Sequence, residues 1–173
     1  FLDNNDGKSG GVQARLQAGP LTVLIGYLLG PEQSPDPMDP GADARVRHLV
    51  DLVATLELDA LTLSGNLDVV TEEQLGGAYD TLWGVMLAAQ VRVIQELFLA
   101  LRLEYIGDPD VDEAAGRDLY TGTFTIDVRP VAHLVIRLDN RLDAASDPRF
   151  PDPQGAPINV AFSSVLGVVV RSD

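Results

Sequence analysis

The sequence predicts an all-β protein, an antiparallel up-and-down transmembrane β-barrel with about nine to ten strands in this chain and a larger barrel around it as an option. Three observations carry that expectation. Apolar residues alternate with others at period two through most of the chain. The uniform face of the alternation is the greasy one, whereas the opposite face mixes charge, amides and small residues, as in a strand that turns one side to lipid and the other to a lumen. The connections between the runs alternate strictly between short and long, the asymmetry of tight periplasmic turns and long outer loops.

Composition fits this and narrows the function. The chain has 173 residues and nearly half are apolar, yet no stretch offers the ~18 consecutive apolar residues of a spanning helix. It has no cysteine, so neither a disulfide nor a thiolate metal site is available. A net charge of −14 leaves no basic patch for phosphates, so no nucleic-acid partner is expected. The opening residues FLDNNDGKSGG are polar and lack an initiator Met, which reads as a processed or partial chain.

The whole of 1–173 reads as one barrel domain. Residues 1–11 read as an outer loop or truncated N-terminus. Their Asp/Asn-rich start does not fit a calcium loop, because Leu2 stands where the first acidic ligand belongs. Alternation starts with Val12, Ala14, Leu16 and Ala18, turns at Gly19-Pro20, and returns through Val23, Ile25, Tyr27 and Leu29. The acidic, proline-rich 31–44 is a long outer loop. The run 45–58 places Val46, His48, Val50, Leu52, Ala54 and Leu56 outward, and His48 reads as an interfacial side chain and not a ligand. Asp59-Ala60 is a tight turn into 61–70, the cleanest alternation in the chain. A second long loop is expected at 71–81.

The run 83–105 then forms a hairpin around Gln95, with Trp83, Val85, Leu87, Leu101, Leu103 and Tyr105 on its apolar face. A third long loop spans 107–118. Asp108, Asp110 and Asp112 there are candidate ligands for a divalent cation, but Glu113 and Leu119 occupy positions where a calcium loop needs glycine and glutamate, so a solvated acidic loop is preferred. Strands follow at 120–129, with Pro130 marking the short turn, and from Leu134 onward. After a fourth long loop at 144–157 comes a last strand over 158–171, whose greasy face Ser164 interrupts.

Two residue sets follow from the faces. Arg15, Arg47, Asp51, Glu57, Asp68, Arg92, Arg102, Glu104, Asp127, Arg129, Arg137, Asp139, Arg141 and Arg171 all fall on the inward face. A dry core would hold so many charges only if nearly all were paired, whereas a hydrated lumen accommodates them. Tyr27, Trp83, Tyr105 and Tyr120 fall on the apolar face near the long-loop ends, as an interfacial girdle would.

The stretch LALRLEYIGDPD, followed by TGTFTIDVRPVAHLVIRLDNRLDAASDPRF, resembles the OmpL-like β-barrel porins of Gram-negative bacteria. Arg102, Glu104, Tyr105 and Asp108 match an R-x-E-Y-x-x-D strand end, and Thr123, Thr125 and Pro130 a T-x-T-x-x-x-x-P hairpin. Arg137, Asp139, Arg141 and Asp143 match R-x-E-x-R-x-D with Asp139 in place of Glu. The chain departs further in its few aromatics and in ending Arg171-Ser172-Asp173 without a terminal aromatic. The resemblance implies an outer-membrane channel for passive diffusion of small polar solutes or ions, with lipid as its surroundings and no cofactor.

Nine strands with a short first connection put the N-terminus on the long-loop side, whereas bacterial single-chain barrels have even strand numbers. Missing strands or a partner chain completing the barrel are therefore expected. Two alternatives stay open. In a barrel closed by these strands alone, Arg102, Glu104, Arg137 and Asp139 would pair across a narrow bore and plug it. A soluble β-sandwich or lipocalin-like binding module would instead dissolve without detergent. No enzyme is expected, because nothing in the spacing brings Ser163 or Ser164 together with His48 or His133 and an acid.

Overall fold

Each alternating run becomes a strand in the computed structural model, which describes residues 8–31, 45–74, 79–107 and 118–170. Nine strands form one sheet: β1 (Gly10–Ala18), β2 (Leu21–Pro31), β3 (Val46–Glu57), β4 (Leu61–Glu73), β5 (Tyr79–Ile94), β6 (Leu97–Gly107), β7 (Leu119–Val131), β8 (Leu134–Ala145) and β11 (Val160–Val170). They pair antiparallel in chain order, β8 with β11, because β9 (Phe150–Pro151) and β10 (Pro157–Ile158) make a separate two-stranded ribbon inside the last long connection. β2 to β8 and β11 hold 11 to 16 residues each. A tilted strand needs about 9–11 residues to cross a bilayer.

The register settles which residues share a face, since directly paired residues project to the same side. Val12 pairs with Tyr27, Tyr27 with Val50, Val50 with Val69 and Val69 with Trp83. Val85, Tyr105, Tyr120, Ala144 and Val160 continue the apolar face. Every inward residue inferred from the alternation and lying within these strands falls on the opposite face. Ser164, which interrupts the greasy side of β11, pairs with Asn140 and donates a hydrogen bond of 3.0 Å to its side-chain oxygen. Two polar groups facing outward thus satisfy each other.

The distribution of burial is inverted relative to a water-soluble sandwich. Among the described residues Ala145 is the one buried apolar side chain, while Leu87 stands 62% exposed and Leu103 52%. Two layers packed face to face would have covered one side of the sheet. Here the apolar face is continuous and unpartnered, and only lipid gives it a favourable surrounding. β1 and β11 are the sheet's edges, and β1 is exposed on both faces.

The short turns fall at residues 19–20, 59–60, 95–96 and 132–133. Gly19 has φ of 58°, the left-handed conformation that a two-residue hairpin turn requires and a glycine supplies. Pro130 lies within β7 at a register irregularity between Val128 and Val131, so it marks a bulge and the turn comes two residues later. A proline has no N–H to give the ladder, and a bulge leaves that donor uncalled for.

Five loop boundaries also shift, two of them by a single residue, since Pro31 ends β2 and Gly107 ends β6. β1 begins at Gly10, inside the expected 1–11 loop. The expected loop 71–81 is mostly strand, since Thr71 pairs with Thr81, Glu72 with Asp80 and Glu73 with Tyr79. Polar residues on both faces suggest a loop by composition, but the backbone ladder tolerates them where a strand rises past the hydrocarbon into water. Within 144–157, Ala144 and Ala145 belong to β8, and the ribbon closes around Asp152, whose carboxylate accepts from the backbone N–H groups of Gln154 and Ala156. Asp108, Asp110 and Asp112, the start of the chain, 32–44 and Arg171 lie outside the described residues.

Candidate functional site

The inward face is concave. Thr62 and Ser64 on β4 line the same cavity as Ser163 and Val165 on β11, so the sheet curls through six strands around a space of about 540 Å³. Between them the wall is set by alternate positions of β5 to β8, where small residues such as Ala88 and Ala100 leave room and Arg102, Arg137 and Arg141 project.

These charges pair along the wall and not across it. Asp127, on β7, is fully buried, and Arg137 on β8 grips it with two hydrogen bonds of 2.7 and 2.8 Å. Arg129 adds a contact of 3.4 Å and stacks its guanidinium 3.9 Å above the Phe98 ring, whose residue is the register partner of Asp127. The carboxylate is covered by its own cations. Arg141 holds Asp143 at 2.9 Å, and the Thr121 hydroxyl donates to the same carboxylate at 2.7 Å. Thr125 donates to Asp139. Arg102 pairs with Glu104 on its own strand at 3.2 Å, and Arg47 with Glu72 at 2.7 Å.

The remaining inward residues are more loosely held. Asp51 stands directly opposite Asp68, and Asn66 donates to Asp51 at 2.8 Å. Arg15 lies on the edge strand opposite Leu24, and Glu57 pairs in register with Thr62 at the turn end of β3. Arg92 reaches down to Asp59 in the short turn at 3.2 Å. Glu72 and Asp143 belong to the wall as well, and the alternation that placed Asp68 and Arg141 inward places them there too.

One asymmetry runs through the wall pairs. In the pairs formed within the strands the guanidinium is more exposed than its carboxylate: 48% against 0% for Arg137 and Asp127, 41% against 16% for Arg141 and Asp143, whereas Arg92 and its turn partner Asp59 reverse the order. Arg102 with Glu104 and Arg47 with Glu72 repeat it. Each pair is neutral as a unit, yet a solute in the concavity meets the cation first.

On the outer face the aromatic side chains form two clusters. Trp83, Tyr105 and Tyr120 stack with ring centroids 4.8 and 4.9 Å apart, and the Tyr105 hydroxyl donates to Asp118 at 2.8 Å. The Tyr105 ring folds over Gly107, where a Cβ would collide with it. Tyr27 is hydrogen bonded to His48 at 2.8 Å, and Tyr79 lies against the same imidazole. Tyr79 joins this second cluster although its neighbours had suggested a loop. The residue types for hydrolysis are dispersed: Ser163 faces inward on β11, Ser164 outward, and His48 sits in the Tyr27 cluster on β3.

With this geometry in place, the comparisons decide the family. A family model described as beta-barrel porin-2, OmpL-like, matches residues 1–170. The chain belongs to this porin family. No curated protein matches the sequence. Among solved structures, an anion-selective porin from Comamonas acidovorans is similar with a TM-score of 0.68 at 17% identity, over 94% of this chain and 47% of that one. At that identity the likeness shows the fold, and the chain spans about half the length of that porin. The sheet is therefore that of a β-barrel porin.

Proposed function

We propose that this porin is a passive diffusion pore of a Gram-negative outer membrane, admitting small polar solutes and ions and favouring anions. The observation that carries the preference is the exposure of guanidinium over carboxylate in the four pairs Arg47–Glu72, Arg102–Glu104, Arg137–Asp127 and Arg141–Asp143. Anion selectivity is named for the Comamonas porin, and here it rests on this chain's own arginines. Ion pairs laid along the wall keep the bore open, in contrast to a plug made by pairing across it. In the membrane, further strands cover the free edges of β1 and β11, because unpaired backbone groups in hydrocarbon cost several kcal/mol each. Planar bilayers under a potassium chloride gradient test the reading. Discrete conductance steps with a reversal potential of the anion-favouring sign are expected. Absence of steps above background would sink the pore, and a cation-favouring potential would sink the preference.

A further inference from the structure

Thr121, Thr123 and Thr125 project from one face of β7, and the register gives them different neighbours. Thr121 pairs with Asp143 and Thr125 with Asp139, and each donates its hydroxyl to that carboxylate. Thr123 pairs with Arg102 on β6 and with Arg141 on β8. A guanidinium has donors only and cannot accept the Thr123 proton. Both arginines moreover turn to their own acids, Arg102 to Glu104 and Arg141 to Asp143. The result is a hydroxyl on a side chain only 8% exposed, lining the cavity, with no hydrogen-bond partner among the described residues. Leaving such a group unmet costs about 1–3 kcal/mol.

The arginines have unused capacity at the same place. Among the described residues Arg102 is engaged through Nε, and Arg137 and Arg141 through Nε and Nη2, which leaves Nη1 of all three without a hydrogen bond. All three line the cavity beside Thr123, together with one carboxylate, that of Asp139, already occupied by Thr125. The complement of a hydroxyl donor set between guanidinium donors is an acceptor-rich anion. Guanidinium groups match tetrahedral and carboxylate oxyanions in shape as well as in charge.

We propose that Thr123, Arg102 and Arg141 form a discrete oxyanion subsite on the wall. It rests on the reading of the inward face as solute-facing and deepens it: a permeating oxyanion pauses where the hydroxyl gains its acceptor.

Equilibrium dialysis of radiolabelled inorganic phosphate against the porin folded in detergent micelles tests this without any current being measured. Saturable binding is expected at low ionic strength. Thr123→Val and Arg141→Gln should each weaken it about tenfold, the loss of one charge-assisted hydrogen bond, and Thr123→Ser should retain it. Thr123→Val removes an unmet hydroxyl, so folding should survive, and heat-modifiable gel mobility checks that. Wild-type protein that binds no phosphate saturably, or a Thr123→Val protein that binds it undiminished, overturns the proposal. Phosphate binding without conductance would remove the pore reading and leave the subsite, and conductance without binding would do the reverse.

Discussion

The inward faces of β1–β3 and of β6–β8 belong to one sheet and follow one alternation, yet they solve the problem of facing a lumen differently. On β2 and β3 the inward positions include Leu24, Leu28, Leu49 and Val53, with Gly26 and Gly30 between. On β7 and β8 they are threonines, arginines and aspartates, each carboxylate held by at least one neighbour. The quieter region carries two inward acids, Glu57 at the turn end and Asp51, whose register partner is another acid, Asp68. The contrast teaches that charge is concentrated on this face where a residue on the same or the adjacent strand answers it, and that the answering residue determines which group stays exposed.

The largest expected effect tests the paired region against the unpaired one. Asp127→Ala leaves Arg137 and Arg129 without their shared buried carboxylate and should destabilise the folded protein by about 3–5 kcal/mol. Asp51→Ala gives up the bond from Asn66 but relieves the opposition to Asp68, and should change stability by less than about 1 kcal/mol. Urea unfolding in lipid vesicles measures both. Equal losses would break the distinction between the two walls.

A smaller effect tests whether the apolar inward positions of β2 face a lumen at all. Leu103→Arg places a cation on the lipid side of β6 and should cost about 2–4 kcal/mol if it lies near the bilayer midplane. Leu24→Arg, inward on β2, should cost clearly less in the same unfolding series. If the two costs coincide, β2 does not turn that face to water. The smallest effect is at the rim, where Tyr105→Phe removes the bond to Asp118 and Tyr27→Phe the bond to His48. Each should cost about 1 kcal/mol, with indole fluorescence shifting only for Tyr105→Phe, because Trp83 stacks on that ring and not on Tyr27.

The sequence disclosed faces far better than partners. Period two assigned Arg137 and Asp127 to the inward side from residue type alone, because a single-residue slip would have turned a greasy face to the lumen. It was silent on their mutual grip, which depends on cross-strand register set by the bulge near Pro130. Tyr79 was missed for a related reason: composition at 71–81 describes exposure to water, and the ladder there continues into water. Net charge carried no information about the inward face, since −14 describes the whole chain, much of it in the acidic connections, while in the pairs of β7 and β8 the guanidinium is more exposed than its acid.

The edges of the sheet have one more consequence, of arithmetic. Every adjacent pair is antiparallel and nine strands are joined, so β1 and β11 run in the same direction. Two copies inserted with the same sense in a membrane would meet at these edges like rails pointing one way, and each seam would be parallel. A wholly antiparallel ring needs an odd number of strands between β11 and β1; a second identical sheet brings nine, so it meets that condition only when inserted with the opposite sense.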